Sequence, residues 1–270
     1  MRSLRDKVII VTGASSGIGL ASARQFGREG ARVVMAARSL DRMLALAPGV
    51  ADPDRVLCVR CDVTREEDCR ALVEATLERW GRIDVLVNNA GISMRAMFKD
   101  LDLQVIGRLM DVNFWGTVYC TKYALPHLLE SKGSVVGVVS TAAFCALPAR
   151  TGYSASKFAV RGFLDSIRIE HLKDGLHVLV FAPGYTGSNV RKATLTADGS
   201  PQGMTPLDEG KLMSAERCAC RLSKALRRRR RQVILTPLGF ASVWTSRLLP
   251  RLMERLTYSY VSREAGSPFK

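Results

Sequence analysis

Tyr153 and Lys157 stand four residues apart, so on a helix both side chains leave one face, one turn from each other. A free phenol titrates near ~10 and is a poor base at neutral pH. An ammonium one turn away favours the phenolate and is expected to lower that value, which fits the pair for proton transfer. Upstream, Ser140 closes the apolar run 135–139, so its hydroxyl is expected at the tip of a buried strand. There it could hold a carbonyl oxygen against the phenol. Tyr-x-x-x-Lys recurs by chance in many helices, so its meaning depends on the elements around it.

The first such element is Val8-Ile-Ile-Val11, a continuous apolar run of the kind found in parallel strands buried on both faces. It leads into Thr12-Gly13-Ala14-Ser15-Ser16-Gly17-Ile18-Gly19 and then a helical pattern over 20–28. A strand, a glycine-rich turn and a helix in that order form an entry for a dinucleotide. The glycines let the backbone approach a pyrophosphate at the helix N-terminus. A second strand over 31–37 ends in Arg38-Ser39, with no carboxylate to take the ribose hydroxyls of NAD. A guanidinium there suits a 2′-phosphate, which favours NADP(H), although a solvated surface arginine would look the same.

Further along, apolar runs at 55–59, 84–87, 135–139, 177–182 and 232–235 read as strands. The third ends in Asp62-Val63. The fourth is followed by Asn88-Asn89-Ala90-Gly91, either a cofactor-lining turn or an ordinary strand exit. Helical spacing covers 66–80, and a long helix is expected over 105–131 with Asn113 inside it. Phe114 and Trp115 beside that asparagine suggest burial, and a buried amide needs partners, so Asn113 is a candidate for holding a water or a backbone carbonyl. Residues 189–213 lose apolar periodicity and read as a substrate lid. Strands alternate with helices throughout, without internal repeat or linker. The expectation is one α/β domain over 1–270, a doubly wound, seven-stranded parallel sheet with helices on both faces.

Composition narrows the partners. Forty Lys and Arg against 25 Asp and Glu leave a formal charge of +15, which calls for an anionic partner. Seven scattered cysteines and three histidines form no metal-ligand pattern, and the thiols read as reduced and mostly buried, in a cytoplasmic setting. The run at Val8 is too short for a signal peptide or a membrane span, and no other stretch is long enough to span.

Taken together, Thr12 to Gly19, Asp62-Val63, Asn88 to Gly91, Asn113, Ser140, Tyr153-x-x-x-Lys157 and Pro183-Gly184 resemble the short-chain dehydrogenase/reductase family in order and spacing, over roughly residues 5 to 190. The resemblance implies a Rossmann fold and hydride transfer with a nicotinamide cofactor. Tyr153 would be the acid in carbonyl reduction and the base in alcohol oxidation, and Ser140 would polarise the substrate oxygen. Lys157 would lower the phenol's pKa and hold the nicotinamide ribose, and Asn113 would support a water linked to Lys157. Gly13, Ser15, Ser16, Gly17, Ile18 and Gly19 would cradle the cofactor. Arg38, Asp62, Val63, Asn89, Ala90 and Gly91 would contact its adenosine and ribose portions, and Pro183 and Gly184 would flank the nicotinamide. Two departures stand out. Thr186 occupies a position the family often fills with an aliphatic residue, and Ser188 one it fills with threonine, so either hydroxyl could bind the carboxamide. Val139-Ser140 replaces a serine pair.

The tail adds the arginine run 227–231 and an amphipathic helix over 238–257 bearing Arg247, Arg251 and Arg255, with Pro250 starting its second half or kinking it. Either it lies on an anionic bilayer and feeds a lipophilic substrate to the site, or it packs on the body or a second subunit. No nucleic-acid module accompanies the arginines, so nucleic acid is not expected as a partner. The reading is an NADP(H)-dependent oxidoreductase of a lipophilic secondary alcohol or carbonyl compound, a homodimer or homotetramer in the cytoplasm, peripheral to a membrane if the tail docks there. Its rivals are a 3-oxoacyl-thioester reductase, which shares these motifs, and a non-catalytic nucleotide-sensing or scaffolding protein, which would commonly have lost the tyrosine or lysine.

Overall fold

A computed structural model describes residues 3–184, 186, 193–203, 212–263, 267 and 269. Its centre is a parallel sheet of seven strands: β1 Val8–Thr12, β2 Arg32–Ala37, β3 Val56–Arg60, β4 Val85–Asn88, β5 Ser134–Val138, β6 His177–Ala182 and β7 Gln232–Ile234. The spatial order is β3-β2-β1-β4-β5-β6-β7. The order reverses between β1 and β4, which leaves a crevice at the carboxyl ends of those strands. Registers such as Ile10 beside Val34 and Leu86 set apolar side chains in rows across the strands.

Alternation along each strand divides those rows between two cores. Ile10, Val34, Leu86 and Val135 point to the side covered by α3 (Glu66–Trp80), α5 (Gly116–Glu130) and α6 (Thr151–Glu170). Ile9, Val33, Val85 and Val136 point to the side covered by α1 (Gly17–Arg28), α2 (Leu40–Leu46) and α7 (Ala215–Arg227). Helices on both faces explain why the strands read as unbroken apolar runs. A smaller apolar cluster lies at the carboxyl end, where Met94, Leu195 and two residues of α4 (Leu103–Leu109), Val105 and Leu109, pack beside Tyr153.

Two expectations need correction. The helix over 105–131 is α4, a π-turn at Met110–Trp115, and then α5; the extra residue per turn of the π segment carries Asn113. The single C-terminal helix over 238–257 is two, α8 Pro237–Leu248 and α9 Pro250–Ser262. Pro250 disfavours the helical conformation in the residue before it, and Leu249 breaks away at φ −135°. Within 189–213, residues 193–203 form an ordered turn in which Leu195 bridges Met94 on one side and Pro201 on the other; positions 189–192 and 204–211 of that expected lid lie outside the described residues. Arg229 adopts φ +48° and donates to the carbonyls of Gly175 (2.6 Å) and Lys132 (3.3 Å), tying down two loops.

Five of the seven cysteines are buried: Cys61, Cys69, Cys120, Cys145 and Cys218. Burial pushes the Cys218 thiol up to about 12, so it remains protonated.

Candidate active site

The site begins where β1 ends. Gly13 turns the chain at φ +66°, and a methyl group on Gly19 would come within 2.2 Å of the Gly13 carbonyl oxygen. Only glycine lets α1 start this close to the turn. Ser16 sits at the N-cap of α1 without a side-chain capping bond, so the free N–H groups of the first turn face the crevice. Across the crevice, Thr12 Oγ1 accepts the backbone N–H groups of Asn89 and Ala90, both at 3.0 Å, while Asn89 Nδ2 donates to the Thr12 carbonyl at 2.8 Å. The Asn89 side chain thus ties β1 to β4, which leaves its backbone and Gly91 as the lining of the crevice.

Arg38 follows β2 and is exposed, without a hydrogen bond or ion pair among the described residues. Asp62 Oδ1 accepts from the backbone N–H and hydroxyl of Thr64, at 3.1 and 2.8 Å, which fixes the turn after β3. Val63 is buried and lies against Gly116. Strand exits carrying a glycine cradle, uncapped N–H groups and a free guanidinium fit a dinucleotide. Gly13 to Gly19 would hold its pyrophosphate, Arg38, Asp62 and Val63 its adenosine end, and Ala90 and Gly91 its nicotinamide ribose.

The catalytic candidates meet beside this cradle. Ser140, just past β5, accepts the Ala142 N–H at 3.2 Å, and its hydroxyl is close enough to the Tyr153 phenol to favour the phenolate. Lys157 is buried, with Nζ donating to the Val138 carbonyl at 3.1 Å and lying 5.9 Å from the centre of the Tyr153 ring. A methyl on Gly91 would stand 3.3 Å from that nitrogen, so the lysine borders the expected ribose position. Burial lowers the Lys157 ammonium to about 8.

The expected lowering of the Tyr153 phenol is not found. Burial raises it, and the Ser140 hydroxyl and the charge of Arg150 only partly offset that rise. Desolvation of the phenolate outweighs the neighbouring cations in the protein alone.

Asn113 accepts the Ile92 N–H at 2.9 Å and donates to the Ile92 carbonyl at 3.0 Å and to Ser156 Oγ at 2.9 Å. The backbone-carbonyl alternative therefore holds. The amide pins the loop after β4 to α6, and Ser156 in turn donates to the Tyr153 carbonyl at 2.8 Å. Thr117 Oγ1 donates to the Asn113 carbonyl at 2.8 Å, next to the π-turn.

Pro183 and Gly184 follow β6, and Thr186 is buried with its hydroxyl donating to the Gly184 carbonyl at 3.1 Å. That bond turns Thr186 Oγ1 towards its own backbone. Ser188, the other candidate for the carboxamide, lies outside the described residues. Two contributors carry no signal in the sequence. Ser156 is hidden inside the Tyr-x-x-x-Lys spacing, and Arg150 reaches from the start of α6 to Ser93 Oγ (3.1 Å) and the Met94 carbonyl (3.4 Å). Recognising either needs the loop after β4 placed against α6.

A family model described as short chain dehydrogenase matches residues 7–198. The 11-beta-hydroxysteroid dehydrogenase 1A of Arabidopsis thaliana is 35% identical over 270 residues, covering 95% of this chain and 76% of that one. The chain spans 53% of the length of the 11-beta-hydroxysteroid dehydrogenase A of Sesamum indicum and 84% of that of the dehydrogenase/reductase SDR family member 7B of Rattus norvegicus. An alcohol dehydrogenase from the archaeon Thermococcus sibiricus, solved with 5-hydroxy-NADP, superposes with a TM-score of 0.74 at 25% identity over 86% of this chain and 96% of that chain. A short chain dehydrogenase/reductase from Burkholderia phymatum, solved with NAD, superposes with a TM-score of 0.82 over 93% of this chain and 96% of that chain; at 22% identity it supports the fold alone.

Proposed function

The chain belongs to the short-chain dehydrogenase family, and on that premise we propose that it is an NADP(H)-dependent oxidoreductase interconverting a lipophilic, steroid- or lipid-like secondary alcohol and its ketone or aldehyde. The observation that carries the proposal is the meeting of Ser140, Tyr153 and the buried Lys157 beside the Gly13–Gly19 cradle, because two neighbouring hydroxyls can hold a carbonyl oxygen. The bound nicotinamide would give or take the hydride. Tyr153 would donate a proton to the carbonyl oxygen, or remove it from the alcohol, while Ser140 holds that oxygen by a second hydrogen bond. Its raised phenol keeps the proton at neutral pH, which suits reduction. Lys157 would orient the ribose from its anchor on Val138, and Asn113 would hold the loop after β4 against α6.

Arg38 supports NADP(H), as an exposed guanidinium directly after β2, and the archaeal neighbour's NADP analogue agrees with it. A lipophilic substrate is supported by the apolar cluster of Met94, Leu109 and Leu195 beside Tyr153 and by the steroid dehydrogenase name of the plant relative. Exposed Trp115, at the end of the π-turn, and Phe158, on α6, support a homo-oligomer.

The test is titration with NADPH and NADH followed by fluorescence, and then turnover on steroid ketones and on 3-oxoacyl thioesters. Tighter NADPH binding is expected, with Arg38→Ala selectively weakening it by about tenfold or more, the worth of a charge-assisted hydrogen bond. Equal affinities would remove Arg38 from the site. Turnover confined to thioesters would replace the substrate class, and failure to bind either nucleotide would end the enzyme reading.

A further inference from the structure

The two C-terminal helices are held to the body by very little. Along α8 only Gly239 and Val243 are buried, and along α9 only Val261. Phe240, Trp244 and Leu248 recur every fourth residue on α8, Leu249 lies at the break, and Leu252 and Leu256 stand four apart on α9. All six are exposed, Leu248 at 71% and Leu249 at 57%. Single exposed apolar side chains need no explanation, but six on two consecutive helices do.

These side chains are accompanied by cations. Arg247, Arg251 and Arg255 recur at the same four-residue interval, and between residues 237 and 263 four arginines stand against one carboxylate, Glu254. The Arg247 guanidinium lies 5.8 Å from the centre of the Trp244 ring, an arrangement that suits the boundary between apolar and polar media.

From these features we propose that α8 and α9 form an interfacial platform that docks on an anionic lipid bilayer. An apolar stripe flanked by arginines, on helices lying in the interface plane, is what such a surface binds. Twelve and thirteen residues give helices of roughly 20 Å, short of the ~30 Å hydrocarbon core. Among the described residues no helix is long and apolar enough to cross. The platform therefore lies on the bilayer rather than through it. A second copy of the chain fits this face less well. A two-fold interface would set the arginine row against itself with one glutamate per chain to offset it.

The platform also adjoins the site. Thr236 caps α8 and accepts the Gly239 N–H at 3.1 Å, and methyl groups built on Gly184 and Gly239 would both collide with it. The same methyl on Gly239 would stand 2.8 Å from Thr141 Cγ2, next to Ser140. The start of α8 is thus a wall shared by the apolar platform and the catalytic strand exit. A lipophilic carbonyl compound dissolved in the bilayer would reach Tyr153 along it, a consequence that rests on the oxidoreductase reading; the docking itself does not.

Sedimentation of the full chain with vesicles tests the proposal. The two preparations are phosphatidylcholine alone and phosphatidylcholine with about one third phosphatidylserine. Wild type is expected to bind the anionic vesicles, more weakly at high salt, and the neutral ones at least tenfold less. Replacing Arg247, Arg251 and Arg255 together with Gln should reduce anionic binding roughly a hundredfold, at about a factor of five per basic residue near the surface. Leu248→Ser with Leu252→Ser should abolish it. All five positions are exposed, so melting temperature and nucleotide affinity should stay at wild-type values. Equal sedimentation with both vesicles, or with neither, overturns the proposal. So does a dimer, seen by light scattering, that the leucine variants split while vesicle binding is absent. Vesicle binding without nucleotide binding would keep the platform and remove the oxidoreductase reading instead.

Discussion

The two ends of the same sheet are built to opposite plans. At the amino end every prominent polar group closes on a protein partner. Asp84 accepts from Lys7, Arg82 and the buried N–H of Val8, all within 3.0 Å. Arg55 bridges Asp6 and the Gly30 carbonyl, and His177 joins Ser134 to the Arg230 carbonyl. At the carboxyl end, Thr12, Asn89 and Asn113 hold the backbone in place. The groups they frame, namely the uncapped turns of α1, the exposed Arg38 and the paired hydroxyls of Ser140 and Tyr153, keep capacity for a ligand. Saturated hydrogen bonding stabilises a fold, whereas unused capacity at a rigid strand exit makes a site.

Substitutions at the two ends should therefore separate activity from stability. The largest effect is expected for Tyr153→Phe, which removes the proton donor and leaves the ring. Carbonyl reduction should fall by roughly 10²–10⁴-fold, with melting temperature and nucleotide affinity little changed. A variant with near wild-type turnover would dissolve the contrast by taking the phenol out of the chemistry. At the opposite end, Asp84→Ala leaves the Val8 N–H buried without an acceptor. Its flanking cations are half-exposed and can turn to water, so the expected loss is about 2–3 kcal/mol of stability, read by urea unfolding. Nucleotide affinity measured on the folded protein should not move. A stable Asp84→Ala variant with weakened nucleotide binding would show that the two ends are coupled.

Much of this division is legible in the residues alone, but unevenly. Buried parallel strands require apolar runs, and pyrophosphate binding requires glycine where α1 meets Gly13, so both leave a mark. The π-turn leaves none, because one extra residue in a turn changes neither composition nor apolar spacing enough to read; Asn113 stands out by its aromatic neighbours, but not the distorted turn that carries it. Pro250 marks where the tail helix breaks, whereas the separation into two poorly covered helices depends on Leu249 leaving the helical region. Within the arginine run, Arg229 does structural work because the turn after α7 brings it to Gly175 and Lys132, a distant placement that spacing along the chain does not show. The phenol's shift was misjudged because spacing shows the nearby lysine and not the depth of burial.

The effect expected of His177 at the closed end is absent at neutral pH and appears only as a pH dependence. Its Nε2 faces the Arg230 carbonyl at 2.9 Å and must carry the proton, so Nδ1 accepts from the Ser134 hydroxyl at 3.0 Å. Burial lowers the ring from 6.5 to about 4; the Arg230 hydrogen bond opposes that fall, and the charges of Arg229 and Arg168 add to it. Between those two values the unfolded chain binds a proton that the folded chain refuses. The stability contributed is complete above pH 6.5 and is lost as the pH falls through about 4, by up to about 3 kcal/mol in all. Urea unfolding at several pH values between 4 and 7 should show that slope in wild type. His177→Gln, which keeps hydrogen-bonding atoms but cannot titrate, should start less stable and lose less over the same interval. Parallel slopes in the two proteins would place the acid sensitivity elsewhere, and the amino end would then owe its stability to the Asp84 and Arg55 pairs without the imidazole.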